Sequence, residues 1–75
     1  MWKTSDLSLA AYLTCRGLDL TEVRAGPNGR WAEFIFPDEA ESLTQEYFRD
    51  GLVSARKLMA AVKDLKSRAK HVRFH

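Results

Sequence analysis

The sequence predicts one small α+β domain over residues 1–75, with the element order α-β-β-α-α and helices covering a two-stranded antiparallel hairpin. Three observations predict this fold class. Three segments have the apolar spacing of helices, one segment alternates after a Gly-Pro-Asn-Gly turn, and 75 residues suffice for a single core. With 45% hydrophobic and 29% charged residues, the composition is that of a folded globular protein.

The first element is predicted to be a helix over about residues 5–16. Thr4 or Ser5 can accept a hydrogen bond from the amides of the first turn. Gly17 can adopt the positive φ that ends a helix. Trp2, just before the cap, is expected to fold back onto the first turns as a hydrophobic staple.

A hairpin is predicted over about residues 18–36. The turn at residues 26–29 combines the fixed φ of proline with residues that tolerate positive φ, which is typical of a tight connection. The segment after the turn alternates and gives the second strand two faces. These faces are predicted to carry Ala32, Phe34 and Phe36 on one side, and Trp31, Glu33 and Ile35 on the other.

Two further helices are predicted over about residues 38–50 and about residues 54–70. Asp38 begins the first of them, where a carboxylate favours the positive end of the helix dipole, and Gly51 is expected to end it. Ser54 caps the last helix. The residues expected to face the core are Ala40, Leu43, Tyr47 and Phe48 from the first, and Leu58, Val62, Leu65, Ala69 and Val72 from the last.

Charge is divided unevenly along the chain. Residues 54–75 hold seven basic side chains against Asp64 alone, a local net charge of +6. Residues 1–53 hold five basic and nine acidic side chains, a net charge of −4. Such asymmetry is typical either of a surface for an anionic partner or of a domain that neutralises itself internally.

Most cations of the last helix lie along one edge of its apolar stripe on a helical projection of about 100° per residue. We call this edge the basic flank: Arg56, Lys63, Lys66, Lys70 and Arg73. Its length is roughly 26 Å, given a rise of about 1.5 Å per residue. Because a row of cations on a rigid helix can follow a phosphate backbone, the pattern predicts binding of nucleic acid, whether DNA or RNA.

Two other interpretations of the basic flank stay open. The acidic side chains of the preceding helix are placed to pair with it, which would leave no free surface for a polyanion. An anionic membrane surface is the weaker candidate, since the last helix has no Trp or Phe before Phe74 to anchor in lipid. No apolar run reaches the roughly 18 residues of a membrane span, so no membrane partner is expected.

Other exposed candidates lie outside the flank. Arg30 and Trp31 are predicted accessory contacts to nucleic acid, since an indole ring can stack on a base. Trp31 and Met59 suit the alternative hypothesis of a protein-interaction module, an inhibitor or adaptor that binds a host protein. The free edges of a two-stranded hairpin also provide a route to a homodimer.

Catalytic chemistry is not expected. His71 and His75 lie in the last five residues, where chains usually fray and cannot hold a general base in place. Without a Gly-rich phosphate loop or paired Cys/His spacing, the sequence predicts neither a cofactor nor a metal. Cys15 is the only cysteine, which excludes an intrachain disulfide and favours a reducing compartment, the cytoplasm.

The opening segments 3–7 (KTSDL) and 9–13 (LAAYL) resemble those of a family of short bacterial, archaeal and phage-associated proteins known only as a domain of unknown function. The resemblance continues through segments 34–36 (FIF), 47–51 (YFRDG) and 63–68 (KDLKSR). It implies a compact domain, often tied to viruses and mobile elements, without an assigned activity. Together with the basic flank, it predicts a small non-enzymatic, regulatory nucleic-acid-binding protein of phage or prophage type.

Overall fold

The computed structural model describes residues 1–73, with the side chains of Asn28 and Arg73 outside the described set. Its elements are, in chain order, strand β1 (Trp2–Thr4), helix α1 (Leu7–Cys15), strand β2 (Glu22–Ala25), a 3₁₀ turn (Pro27–Gly29), strand β3 (Ala32–Phe36), helix α2 (Ala40–Phe48) and helix α3 (Ala55–Arg73). The predicted α+β class is confirmed.

The sheet has three antiparallel strands in the order β1-β3-β2, so the predicted two-stranded sheet lacked one strand. The β2–β3 hairpin itself is confirmed, with Val23 opposite Phe34. The additional strand, β1, pairs with β3 and places Trp2 opposite Phe36. Trp2 therefore packs against the core as a strand residue, four positions before the Asp6 cap, and is not the residue directly before the cap that the predicted hydrophobic staple requires.

Strand β3 is central and is hydrogen-bonded on both sides. In the part of the chain that the structure describes, the unpaired sheet edges are therefore the outer edges of β1 and β2. A homodimer formed through the hairpin, as the sequence suggested, would have to use the outer edge of β2.

The formation of β1 moves the start of α1 to Leu7. The N-cap is Asp6, whose carboxylate Oδ1 accepts a hydrogen bond from the Leu9 amide over 3.2 Å. The predicted cap at Thr4 or Ser5 is therefore wrong. Thr4 pairs with β3 as the last residue of β1, and the helix begins only after Asp6.

The two faces of the sheet differ in chemistry. The core face carries Ala32, Phe34 and Phe36, all buried. On the opposite face, Glu33 forms ion pairs with Lys3 and Arg24, each at 3.5 Å. Ile35 shares this outer face and is nevertheless only 1% exposed. The predicted alternation is confirmed for these residues of β3.

Helix α3 packs mainly against α1 and β2, whereas α2 packs against α1. Leu65, at 1% exposed, brings the apolar stripe of α3 into the core, with Leu58 and Val62 partly buried beside it. The predicted stripe is confirmed. Because this stripe faces the core, the opposite side of α3 faces solvent. None of the described helices is long and apolar enough to span a membrane.

The starts of α2 and α3 follow different rules. Asp38 does not cap α2, because its carboxylate pairs with the amino group of Met1. The N-cap position is occupied by Glu39, whose side chain makes no capping hydrogen bond. Ser54 caps α3 as predicted, since its hydroxyl accepts a hydrogen bond from the Lys57 amide over 3.4 Å.

The ends of α1 and α2 also differ. Gly17 ends α1 with φ +91°, as predicted. Gly51 was predicted to end α2, but the positive φ of +62° that follows this helix belongs to Asp50. Phe48, the last residue of α2, is 72% exposed and does not reach the core as predicted. At about 100° per residue, Phe48 projects about 80° away from Ala40, the buried residue of this helix.

Candidate nucleic-acid interface

The basic flank is exposed along α3. Arg56, Lys63, Lys66 and Lys70 are all exposed, and none of them forms an ion pair with another described residue. Arg73 ends α3, and its side chain lies outside the described residues. The four described cations extend over about 21 Å of helix, at about 1.5 Å per residue.

Acidic side chains do not cover this flank within residues 1–73. The acid of α3, Asp64, pairs with Arg68 at 3.2 Å, and both project from the opposite flank. On α2, Glu46 pairs with Arg16, the residue that follows α1, at 2.8 Å. Helix α2 packs against α1 and leaves the basic flank open. The interpretation of the flank as paired with α2 is therefore not realised in this structure.

A groove of about 650 Å³ opens between the start of α1, the start of β3 and the second half of α3. We call it the Trp31 groove. Its lining combines apolar residues with two lysines of the basic flank: Ser5, Leu7, Trp31, Ala32, Phe34, Lys66, Ser67, Ala69 and Lys70. The groove therefore joins an aromatic ring, an apolar floor and two cations in one place.

Trp31 occupies a different position from the one predicted. Strand alternation placed its side chain on the face opposite Phe34, yet both residues line the same groove. Trp31 lies in a bend before β3 begins at Ala32, so the alternation of the strand does not apply to it. A side chain at Gly26 would collide with the indole ring, which shows how closely the ring lies against that glycine.

The structure brings together only some of the predicted site residues. Lys66 and Lys70 meet Trp31 at the groove, whereas Arg56 and Lys63 lie farther toward the start of α3. Arg30 is exposed beside Trp31 but does not line the groove. Met59, at 67% exposed, does not line it either. Trp31 and Met59 therefore do not share this groove.

Sequence reasoning missed two groups of residues. Ser5 and Leu7 line the groove from the start of α1, and no local pattern marks them as neighbours of α3. Phe48 and Leu52 are 72% and 90% exposed at the surface between the end of α2 and the start of α3. A second cavity of about 580 Å³, lined in part by Phe48 and Tyr47, lies at this surface. The sequence signal for this surface is the position of Leu52, a leucine in a connection that has no helical periodicity to bury it.

A separate polar cluster links α1 to α2. The Tyr12 hydroxyl donates a hydrogen bond to Glu46 Oε1 over 2.5 Å, and Arg16 Nε lies 2.8 Å from the same oxygen. Burial, followed by the hydrogen bond to Glu46, raises the pKa of Tyr12. The hydrogen bond from Tyr12 lowers the pKa of Glu46, and Arg16 adds to this effect against the opposing effect of desolvation. This cluster does not line the Trp31 groove.

The described residues contain no group of three or more His, Cys, Asp or Glu side chains placed to hold a metal ion. Cys15 ends α1 as a half-buried free thiol. The polar side-chain groups that line the Trp31 groove are the ammonium groups of two lysines, the hydroxyl groups of two serines and the indole N–H, all of which can donate hydrogen bonds to anions.

Comparison with known proteins identifies a family and no assigned activity. A family model described as "Domain of unknown function (DUF5659)" matches residues 1–71. No curated protein and no solved structure matches the chain.

Proposed function

The chain belongs to the DUF5659 family, a domain of unknown function, and we propose that it is a non-enzymatic protein that binds nucleic acid through the basic flank of α3. One observation carries the proposal: Lys66 and Lys70 meet Trp31 at one groove, on a helix side that is exposed and free of ion pairs within the described residues. A phosphate backbone supplies the anions, and an aromatic ring can contact bases.

The electrostatics of the flank support this partner class. An exposed ion pair contributes only about 0–1 kcal/mol, so a single surface lysine would add little to the free energy of binding a phosphate. A row of cations on one helix side differs, because each phosphate that it neutralises releases condensed counterions. If four phosphates are contacted, log K should fall with log salt at a slope of about −3.6 for duplex and about −2.8 for single strands.

Binding of single-stranded and duplex DNA and RNA across a salt series tests the proposal. We expect affinity at low salt, a slope within this range, and strong loss of binding when Lys63, Lys66 and Lys70 are all changed to Glu. The single variant Lys66→Glu should also weaken binding. Lys57→Glu is its matched control, since Lys57 is an exposed lysine of the same helix on the opposite flank. Absence of binding at low salt, or equal effects of Lys57→Glu and Lys66→Glu, would reject the proposal.

We further propose that the protein acts in the cytoplasm as a regulatory protein of phage or prophage type. Its single cysteine suits a reducing compartment, and the resemblance to phage-associated proteins suggests the biological setting. Cell fractionation with the tagged protein tests the compartment. Recovery of the tagged protein outside the cytoplasmic fraction would contradict it.

A second candidate function is protein interaction, and the exposure of Phe48 and Leu52 favours it. The two residues lie four positions apart around the connection between α2 and α3, and exposed apolar patches are typical of binding surfaces. The partner is either a host protein or a second copy of the chain. This surface lies apart from the Trp31 groove, so the two functions have separate residues.

Sedimentation over a series of protein concentrations, with and without Phe48→Ser, separates the two forms of this candidate. A homodimer through this surface should dissociate in the variant. A host partner should survive nuclease treatment in a pull-down and be lost with Phe48→Ser but retained with Met59→Ser, which changes another exposed apolar residue. A monomer that retains no partner after nuclease treatment would reject the candidate.

A further inference from the structure

We propose that the Trp31 groove holds an unpaired nucleobase, so that the protein binds single-stranded nucleic acid in preference to duplex. This inference rests on the proposed function and deepens it, since it names the form of nucleic acid. The occupant is a segment of single strand, with one base in the groove and its phosphates on Lys66 and Lys70.

The size and lining of the groove fit such an occupant. Its volume of about 650 Å³ lies within the roughly 300–1,000 Å³ typical of small-molecule sites. Leu7, Phe34 and Ala69 give it an apolar floor. Trp31 is 42% exposed, so part of its ring is free to contact a ligand. A flat, largely apolar base is the part of a nucleic acid that matches this lining.

The ring of Trp31 is held in position before any ligand binds. Its carbonyl accepts a hydrogen bond from the Gly26 amide over 2.7 Å, which fixes the backbone on which the ring is carried. The ring itself lies so close to Gly26 that a Cβ there would come within 3 Å of it. A platform that is already fixed loses little conformational entropy when a base stacks on it.

The charges at the rim select an anionic occupant. Lys66 and Lys70 are one helical turn apart, about 6 Å along the axis, and both line the groove. Within the described residues no carboxylate lines the groove with them. An apolar peptide segment would fill the floor but leave both ammonium groups without an anion. A single strand provides both a base to contact the apolar floor and phosphates to pair with the two lysines.

Duplex DNA or RNA has no free base to contact the apolar floor of the groove. Its bases are stacked and paired, so only its backbone is available to the lysines. An unpaired base is free to leave the stack and contact the partly exposed ring of Trp31. The groove therefore distinguishes the two forms by adding base contacts to a phosphate attraction that both forms share.

The experiment compares a thymidine oligonucleotide, a duplex of equal length and an oligonucleotide of equal length made of abasic sites. With the unaltered protein, we expect the thymidine strand to bind more tightly than the abasic strand, which has the same phosphates. Trp31→Ala should weaken single-strand binding by about 5- to 150-fold and leave duplex binding nearly unchanged. Trp31→Phe should retain part of the preference, since it keeps an aromatic face.

Gly26→Ala provides a variant that leaves the ring chemistry and the charges intact. Gly26 has an ordinary φ of −76°, so alanine fits the backbone there, and the added methyl group must displace the indole. We expect loss of the single-strand preference with duplex binding retained. Thermal unfolding, monitored by circular dichroism, shows whether each variant is folded. If a variant is unfolded, the comparison of thymidine and abasic strands on the unaltered protein still tests the inference.

The outcomes separate the two proposals. If no nucleic acid binds at low salt, the proposed function fails, and this inference fails with it. If the thymidine and abasic strands bind equally well, and Trp31→Ala changes neither, only the inference about the groove is overturned. Chemical-shift changes confined to the exposed lysines, with none at Ala69 or the Trp31 indole, would point to another occupant and overturn it equally.

Discussion

The Tyr12 hydroxyl donates a hydrogen bond of 2.5 Å to Glu46 Oε1 and so joins the end of α1 to α2. Tyr12 is 2% exposed, and Glu46 lies at the surface where Arg16 completes the cluster. Helix α2 packs mainly on α1, so this contact lies at its principal attachment to the rest of the fold. By occupying Glu46, the cluster also keeps that carboxylate away from the cations of α3.

The first prediction concerns acid stability. Since the folded state lowers the pKa of Glu46 below its ordinary value of 4.5, the unfolded chain binds a proton more readily than the folded chain. The stabilisation by Glu46 is therefore present above pH 4.5 and is lost as the pH falls through its folded-state pKa. We expect Glu46→Gln to reduce the dependence of the free energy of unfolding on pH in this acid range.

Urea unfolding at neutral pH and at several values below pH 4.5 measures this difference. Glu41→Gln is the matched control, since Glu41 is an exposed acid on the same helix. A pH dependence that is the same in Glu46→Gln and in the unaltered protein would contradict the assignment.

The second prediction concerns Gly51, which follows α2 and lies against Tyr12. A Cβ at this position would meet the Tyr12 hydroxyl and lie 3.0 Å from the Glu46 carbonyl oxygen. We expect Gly51→Ala to destabilise the fold by about 1–3 kcal/mol, the usual range for overpacking. Chemical denaturation measures the change in the free energy of unfolding.

A double-mutant cycle identifies the cause of that loss. In a Tyr12→Phe background the hydroxyl is gone, so Gly51→Ala should cost less than in the unaltered protein. Equal costs in both backgrounds would show that the collision with Tyr12 is not responsible.

The third prediction concerns Asp50, which has a φ of +62° after the last turn of α2. Its amide donates to the Tyr47 carbonyl over 3.2 Å and the Gly51 amide donates to the Glu46 carbonyl over 3.0 Å, the pattern of a Schellman motif. Because glycine adopts positive φ without a Cβ penalty, we expect Asp50→Gly to stabilise the fold by about 0.5–1 kcal/mol. The midpoint of urea unfolding should rise; a fall would contradict the backbone argument.

The missing strand shows what local sequence patterns leave out. Residues 2–4 form a strand of three residues whose partners lie thirty or more positions away, opposite Phe34, Ile35 and Phe36. Thr4 and Ser5 carry good capping side chains, so local chemistry favoured an earlier helix start. Tertiary pairing with β3 overrode that preference. The β2–β3 hairpin was predictable because its turn and its alternation lie within the same short segment.

The candidate site also has one part that the sequence predicts and one part that depends on tertiary packing. The basic flank follows from helical periodicity alone, because the stripe through Leu58, Val62 and Leu65 fixes which side of α3 faces solvent. The Trp31 groove does not follow, since it needs Leu7, Trp31 and Ala69 from three distant segments. The acidic residues of α2 could not be placed from sequence either, because their distance from α3 depends on α2 packing against α1.

The last prediction compares a buried leucine with an exposed one. Leu65 of α3 is 1% exposed in the core cluster, whereas Leu52 is 90% exposed between α2 and α3. We expect Leu65→Ala to cost about 2–5 kcal/mol through lost burial and the cavity that remains. A domain of this size has a total stability near the low end of about 5–15 kcal/mol, so this variant should lose a large part of its stability and melt at a clearly lower temperature. Leu52→Ala should change stability by no more than about 0.5 kcal/mol. Thermal melts of both variants measure the contrast, and a similar loss for each would mean that Leu52 is covered in solution, by a second copy of the chain or by another segment.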